Sequence, residues 1–484
     1  MRLQRTQSLV GTGAAGIDWR VVGLSGLAAT AAVALGYTVS AAPLLLLALL
    51  VVSVAAGSLL FAFDQPRWAL VIALFLGWGY VPDAASLYHG NGLPLTGALL
   101  ACLIGTLAIR RAFGLERLQV PPTELAVVGA LAITMIVSTA LSVDPSSGLQ
   151  RLVLFVKDIP FLLLMLLLID RIEWLRRAAW AAVIAFGGLG GLAAFQQLTG
   201  TYSRGYLGFA AVQSDQGGLI RSAGPLSTDW FGWELVPVTV LALYLALGAR
   251  TPRIKILAWS LFGASLLGLI FSFARASLIA ICVAFVLAAL LRHVRLTTIA
   301  LGMAVAAAAM VLFLPGSAKT RLVQSVEPFT GGGGVTMAED ASVRNRAGEN
   351  LAAVHMFLDY PVLGVGPGNY PVLYTTYSQT IALDSRNEGR HPHNLYLEYL
   401  SETGIIGCAL ILGLIGLALR GAWRARSVFE GRDRLLVEGV FVALVGYFIN
   451  GIFLHPSGYS RYLWLVLGFG LVCGRLAAAK EATA

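Results

Sequence analysis

The fold class is decided by GIIGCALILGLIGLALRGAWRARSVFEGRDRLLVEGVFVALVGYFINGIFL, residues 404–454. Two apolar runs, at about 403–420 and 435–454, flank a short segment, 420–434, that contains five arginines. Each run has about the 20 residues that an α-helix needs to cross the hydrocarbon core of a bilayer. The pattern therefore predicts two membrane-spanning helices joined by a short basic loop.

The same pattern recurs along almost the whole chain of 484 residues. Of these residues 57% are hydrophobic and only 12% are charged, and the mean hydropathy is +0.78. Soluble domains have roughly 25% charged residues. We therefore predict an all-α, polytopic membrane protein that forms a single membrane domain over residues 1–484, with about 12–14 transmembrane helices. The expected spans are roughly 21–37, 43–63, 67–82, 95–110, 123–142, 152–170, 174–198, 229–249, 255–272, 274–291, 296–315, 403–420, 435–454 and 460–477.

The distribution of basic residues predicts the orientation of these spans. With the N-terminus inside, most of the 34 Lys and Arg residues fall in the cytoplasmic segments, whereas the opposite short loops, 38–42 and 83–94, contain none. Basic residues accumulate in cytoplasmic loops. We therefore expect a cytoplasmic (inner) membrane protein with both termini in the cytoplasm and two longer external loops, 199–228 and 316–392. The first apolar run lacks a convincing cleavage site and is expected to remain as a span.

The larger external loop is expected to be partly helical. ASVRNRAGENLAAVHMFLDYP, residues 341–361, has apolar residues at helical spacing and ends at Pro361, which predicts an amphipathic helix. GVGPGN, residues 364–369, follows it. It lacks the strand-to-helix context of a phosphate-binding loop, so we predict a tight turn.

HPHNLYLEYLSETGIIG, residues 391–407, places two histidines and an asparagine at the outer end of a span. Pro392 favours an extended residue before it and the helical pattern begins after it, so His393 and Asn394 are predicted at a helix N-terminus. That position favours a neutral imidazole, which suits a general base. The alternative is that Asn394 caps the helix and His393 packs against it.

Two arginines reach the same predicted face of the membrane. Arg275, in FSFARASLIA, falls in the tight outer connection between two spans, and Arg221, in GGLIRSAGPLSTDW, lies in the first external loop. Each alone fits an interfacial arginine whose charged end reaches the lipid headgroups. Together with His393 they bring two fixed cations and one base to one face, which suits a phosphate or pyrophosphate. We therefore predict His393, Arg275 and Arg221 as the catalytic residues.

Further candidate substrate-binding residues are Lys157, Arg344, Arg346 and Asn394. Lys157 lies about six residues, roughly 9 Å, into the sixth span, where an ionisable residue suggests a function. It is expected either to contact a lipid-linked anion or to pair with an acid such as Glu234 on a neighbouring span.

No metal site is predicted. The external loops contain no cluster of carboxylates with the spacing of metal ligands. The four cysteines fall within expected spans without paired spacing, which indicates packing roles for Cys102, Cys282, Cys408 and Cys473.

FSFARASLIA, RNRAGENLAAVHMFLDYPVLGVGPGNY and HPHNLYLEYLSETGIIG together resemble the O-antigen ligase and O-antigen polymerase superfamily, best over about residues 215–415. The resemblance implies a metal-independent, inverting glycosyltransferase without a cofactor. Such an enzyme takes a glycan from undecaprenyl pyrophosphate at the outer face of the cytoplasmic membrane and joins it to an acceptor hydroxyl. The resemblance maps the catalytic histidine onto His393 and two arginines onto Arg275 and Arg221.

Several functions remain open at this point. Ligases of this superfamily transfer a finished polymer to a lipid A core, whereas polymerases transfer a growing chain to another lipid-linked repeat unit; we expect the ligase type. The expected partners are the lipid-linked donor, a lipid or glycan acceptor and membrane lipids. The chain has a net charge of +9, which is explained by the Lys and Arg residues that collect in the cytoplasmic loops of membrane proteins. We therefore expect no nucleic-acid partner. A transporter of lipid-linked oligosaccharides is the second alternative, although internal repeats are not evident.

Overall fold

The computed structural model describes residues 60–81, 95–115, 122–214, 220–291, 341–381, 389–456 and 460–483. The predicted spans 21–37 and 296–315, and most of 43–63, lie outside these residues. Within the described residues nearly all regular structure is helical, which confirms the all-α prediction. The helices are α1 (Pro66–Trp78), α2 (Leu95–Ala112), α3 (Pro122–Ala140), α4 (Pro145–Leu168), α5 (Ile172–Thr199), α6 (Thr228–Leu247), α7 (Pro252–Phe271), α8 (Arg275–Leu290), α9 (Ala341–Asp359), α10 (Tyr370–Ser378), α11 (Leu395–Val428), α12 (Gly431–Asn450) and α13 (Ser460–Glu481).

In the described part of the chain, six helices are long and apolar enough to cross a membrane: α3, α5, α6, α7, α11 and α13. Helices α1 and α8 are apolar but shorter. Helix α4 has 24 residues and carries Arg151, Lys157 and Asp158 along its length. These lengths and compositions are those of a polytopic membrane protein, as predicted.

Helix α6 is buried on nearly every side, with α5, α7, α8 and α12 packed around it. Its sequence, TDWFGWELVPVTVLALYLAL, lacks a polar stripe, which is the pattern of a helix enclosed by others. Trp233 stacks on Tyr447 of α12 with ring centroids 4.9 Å apart, and its indole N–H donates to the Tyr447 carbonyl oxygen at 2.9 Å. The N-terminal half of α6 is therefore anchored to α12.

Segments predicted to be cytoplasmic meet at one end of the helices. Arg67, the second residue of α1, pairs with Asp170, before α5, at 2.7 Å. Arg176 of α5 pairs with Asp433 of α12. These partly exposed ion pairs show which segments are neighbours, and pairs near the surface add little to stability, about 1 kcal/mol or less when exposed.

A short antiparallel hairpin interrupts the helical fold between α5 and α6. Strand β1 (Ala211–Ser214) pairs with β2 (Ile220–Gly224), and Gln213 lies opposite Arg221. The sequence predicts only an external loop at 199–228, because strands of four and five residues are too short to show a clear alternating pattern. The hairpin fixes the backbone that carries Arg221.

The helix and the turn predicted between residues 341 and 369 form where the sequence predicts them. Helix α9 ends at Asp359, two residues before Pro361. The following turn has positive φ angles at Gly364, Gly366 and Gly368. Helices α9 and α10 share a small apolar core made by Ala352, Ala353, Met356, Val365, Tyr370, Tyr374 and Ile381.

The turn after α9 docks into a kink in α11. Gly404 has φ 63° and ψ −166° within that helix. A Cβ on Gly364 would lie 2.3 Å from the carbonyl carbon of Glu402, and a Cβ on Gly404 would lie 2.3 Å from that of Val362. Only glycine fits such close backbone contacts at positive φ. The kink lies at the start of the predicted span 403–420. It separates that span from the first turns of α11, residues 395–403, which we call the outer turns.

We expect Gly364→Ala to destabilise the protein by on the order of 2–4 kcal/mol, because it adds a backbone clash to an unfavourable φ angle. Thermal unfolding of the purified protein in detergent measures the effect. The matched control is Gly413→Ala on α11, where an added Cβ meets nothing within 4 Å. Equal melting temperatures for the two variants would contradict the proposed interlock between the turn and the kink.

Candidate functional site

Asn394 is the N-cap of α11. Its side-chain oxygen accepts hydrogen bonds from the backbone N–H groups of Tyr396 at 2.9 Å and Leu397 at 3.0 Å. Its amide nitrogen donates to the Ile452 carbonyl oxygen at 3.1 Å. This is the capping role that the sequence left open as an alternative, and it holds the preceding His393 at the helix N-terminus. A contact between Asn394 and substrate stays a prediction.

His393 contacts a buried carboxylate on α9. Its Nδ1 lies 2.6 Å from Oε2 of Glu349 in α9, and the side chains of His393 and Glu349 are 24% and 2% exposed. Glu349 is 44 positions away in the chain. The sequence does not single out this residue, because nothing local distinguishes it from other acids on an amphipathic helix.

The predicted arginines come together around Asp229 at the start of α6. Arg221 on β2 pairs with one oxygen of Asp229 at 2.8 Å, and Arg346 on α9 pairs with the other at 3.3 Å. Arg221 also donates from Nε to the Ser272 carbonyl oxygen at 3.0 Å, three residues before Arg275. Arg275 is the exposed first residue of α8. Residues far apart in sequence thus bring two guanidinium groups to Asp229, and one of the two also contacts the backbone that leads to Arg275.

His455, which the sequence does not single out, joins these groups to the HPHN segment. It lies between α12 and α13, and its ring stacks on His391 with centroids 4.7 Å apart. It also meets the rings of His393 at 5.7 Å and Trp230 at 5.0 Å. Trp230 follows Asp229 directly, so the imidazoles and the arginines are neighbours. The sequence contains one signal for His455: this histidine precedes a proline at the end of a predicted span, as His391 does in HPHN.

Two of these three imidazoles are neutral at physiological pH. Burial, followed by the positive charge of Arg151 and the neighbouring His393, lowers the pKa of His391 to about 4. Burial, followed by the adjacent His391 and His393, lowers the pKa of His455 well below its ordinary value. Desolvation and nearby positive charge both disfavour the imidazolium form.

Glu398 lies at the centre of a second group beside these rings. Arg151 of α4 donates to Oε1 of Glu398 at 2.8 Å, and the Nδ1 atoms of His391 and His455 lie 3.8 Å and 4.0 Å from the same oxygen. These two histidines and Glu398 offer possible metal ligands within 4.8 Å of one another. A cation at ligand distances of about 2.0–2.2 Å would have to compete with the Arg151 guanidinium for that oxygen. The arrangement is therefore an ion pair flanked by neutral imidazoles.

The remaining predicted residues are more dispersed. Arg344 is exposed on α9, two positions before Arg346. Lys157 lies on α4 next to Asp158, which pairs with Arg461 of α13 at 3.4 Å in a buried setting. Substrate contacts of Lys157 and Arg344 stay predictions. Glu234, suggested as a partner of Lys157, accepts a hydrogen bond from the Tyr447 hydroxyl at 3.4 Å.

Residues 260–412 match the family model described as O-antigen ligase. The matched region lies within residues 215–415, where the sequence shows its resemblance, and contains Arg275, Arg346 and His393. A comparison with curated proteins gave no match. The resemblance of the chain to the O-antigen ligase and polymerase superfamily is therefore confirmed over residues 260–412.

Proposed function

We propose that the protein transfers a glycan from a lipid-linked pyrophosphate to an acceptor hydroxyl. The match to the O-antigen ligase family model supports a ligase-like or polymerase-like activity in general. The observation that carries the proposal is the meeting of Arg221 and Arg346 at Asp229, beside the turn leading to Arg275 and close to the imidazole cluster that includes His393. Guanidinium groups bind phosphate oxygens in a bidentate manner, and a neutral imidazole accepts a hydroxyl proton.

Asp229 supports the view that this region suits an anion. Its two carboxylate oxygens are bound by two different guanidinium groups, from β2 and from α9. Phosphate oxygens present the same negative charge and hydrogen-bond acceptors to such planar donors. A pyrophosphate that binds here would share or replace the contacts that Arg221 and Arg346 make with Asp229.

In the proposed reaction, His393 removes the proton of the acceptor hydroxyl as its oxygen attacks the anomeric carbon of the donor sugar. The bond between that carbon and the pyrophosphate oxygen breaks, and the lipid pyrophosphate leaves with the electron pair. Arg275 and Arg221 offset the growing negative charge. Attack opposite the leaving group inverts the anomeric configuration. The donor carries its own leaving group, so the proposal needs no nucleotide cofactor and no metal.

We place this reaction at the outer face of the cytoplasmic membrane, because the candidate residues lie at the end of the helices opposite the basic loops. We expect a cysteine at Gln379, exposed after α10, to react with an impermeant thiol reagent in intact cells, after outer-membrane permeabilisation if the host has an outer membrane. A cysteine at Ser427, at the other end of α11, should react only after lysis. The four native cysteines are first replaced. The reverse pattern would place the site in the cytoplasm.

The finer assignment that we favour is an O-antigen ligase whose acceptor is a lipid A core. A repeat-unit polymerase is the alternative, since it uses the same donor and the same chemistry with a different acceptor. Purified protein is supplied with an undecaprenyl-pyrophosphate-linked glycan and with either a lipid A core or a second lipid-linked repeat unit. Transfer to the lipid A core supports the ligase, and chain extension supports the polymerase. Movement of the intact donor across vesicle membranes, without either product, would support a transporter instead.

A further inference from the structure

We propose that Glu349 is a positioning residue that orients the His393 ring and offsets the positive charge that the ring gains during the reaction. This inference rests on the proposed role of His393 as the base. The contact between Oε2 and Nδ1 is 2.6 Å, and the carboxylate is almost fully buried. A carboxylate accepts hydrogen bonds, so Nδ1 carries the hydrogen and Nε2, on the far side of the ring, has the free lone pair. Nε2 is then the atom that accepts the proton of the hydroxyl.

The fold holds Glu349 at this position from two sides. The Tyr370 hydroxyl of α10 donates to the main-chain carbonyl oxygen of Glu349. One to two turns further along α9, Ala352, Ala353 and Met356 are buried in the core shared with α10. The carboxylate therefore projects from a packed helix, which limits the movement of the imidazole that it contacts.

The same helix also contributes to the anion side of the site. Arg346 and Glu349 are three residues apart on α9, which places them on neighbouring positions of one helix face. Arg346 reaches Asp229, whereas Glu349 reaches His393. Helix α9 thus couples the position of the base to the position of an arginine at the candidate pyrophosphate site.

The other imidazoles of the cluster have a different environment. The Nδ1 atoms of His391 and His455 lie 3.8 Å and 4.0 Å from Glu398, beyond hydrogen-bond distance, and Arg151 already donates to that carboxylate. The Nδ1 atom of His393, in contrast, lies 2.6 Å from the Glu349 carboxylate, which is hydrogen-bond distance. This contact places a negative charge beside the ring that accepts the proton in the proposed step.

The proton balance of the step needs no further reactant. The acceptor oxygen loses its proton to Nε2 and forms the new bond to the anomeric carbon, while Nδ1 keeps its hydrogen. The imidazolium then lies beside the negative Glu349, and its proton passes to water after the products leave. Glu349 itself neither gains nor loses a proton.

A double-mutant cycle tests this role. Glu349→Gln keeps the size of the side chain and removes its charge, and we expect it to lower kcat by on the order of 10- to 100-fold with little change in donor KM. In a His393→Ala background the same substitution should cause no further loss. Glu349→Asp keeps the charge on a shorter side chain and should retain more activity than Glu349→Gln. The matched control is Asp359→Asn, at the end of α9, which should leave kcat unchanged.

Melting temperatures of all variants show whether the fold is kept, and the Glu349→Asp variant provides the comparison if Glu349→Gln is unstable. Wild-type kcat in Glu349→Gln, with His393→Ala inactive, would overturn the positioning role and leave the proposed base intact. An equal loss from Glu349→Gln with and without His393 would show that Glu349 acts independently of that base, which also overturns the role. Full activity of His393→Ala would overturn both the positioning role and the proposed base.

Discussion

His393→Ala is expected to abolish glycan transfer, lowering the rate by about 10²- to 10⁴-fold, which is the range for loss of a general base. Expression, membrane insertion and donor binding should stay close to normal. The helix N-terminus is capped by Asn394, and the arginines are held by Asp229, so neither depends on the His393 ring. Purified variants are assayed with a lipid-linked glycan and an acceptor.

His391→Ala is the comparison for this prediction. Its ring stacks on His455 and lies in the extended segment before α11, and no step of the proposed reaction uses its proton. We therefore expect a milder loss than in His393→Ala. Residual activity above about a tenth of normal in His393→Ala would be too high for a general base and would require a different residue in that role.

Arg275→Ala and Arg275→Lys are both expected to lower turnover by roughly a hundredfold, or about 3 kcal/mol in transition-state stabilisation. A lysine restores the charge but not the planar pair of donors that binds two phosphate oxygens. Arg221→Ala should have a similar effect. In addition, that change leaves Asp229 with one guanidinium partner in place of two.

Arg253→Ala is a suitable control for the arginine variants. Arg253 is exposed near the start of α7, at the end of the helices opposite Arg275, and its loss should leave turnover unchanged. Initial rates at saturating and limiting donor separate an effect on binding from one on turnover. Near-normal activity of Arg275→Lys would reduce the role of Arg275 to that of a general positive charge.

The helices and their ends could be predicted because the relevant signals are local. Apolar runs of span length and short basic loops each act within a single segment, and they predict α6, α7 and α13 in nearly their observed positions, whereas α11 extends eight residues beyond its predicted span at each end. The capping position of Asn394 also follows from its immediate neighbours. The docking of the turn onto α11 could not be predicted in this way. Gly364 and Gly404 must be glycines because of a contact between segments that are distant in sequence.

The partners of the site residues could not be predicted for the same reason. Arg151 and Glu398 are 247 positions apart, and Glu349 and His393 are 44 apart. Only packing of α4 and α9 against the outer turns of α11 brings them together. The sequence indicates which residue types belong at this face, whereas the tertiary structure determines which acid meets which base.

The most direct test of the proposed function is acceptor-dependent release of undecaprenyl pyrophosphate by the purified wild-type protein in excess EDTA. We expect release in step with formation of the glycan–acceptor product, inversion at the anomeric carbon, and loss of both signals in His393→Ala and Arg275→Ala. Product and lipid pyrophosphate that appear only with a divalent metal, or that persist in both variants, would contradict the proposed chemistry of this site.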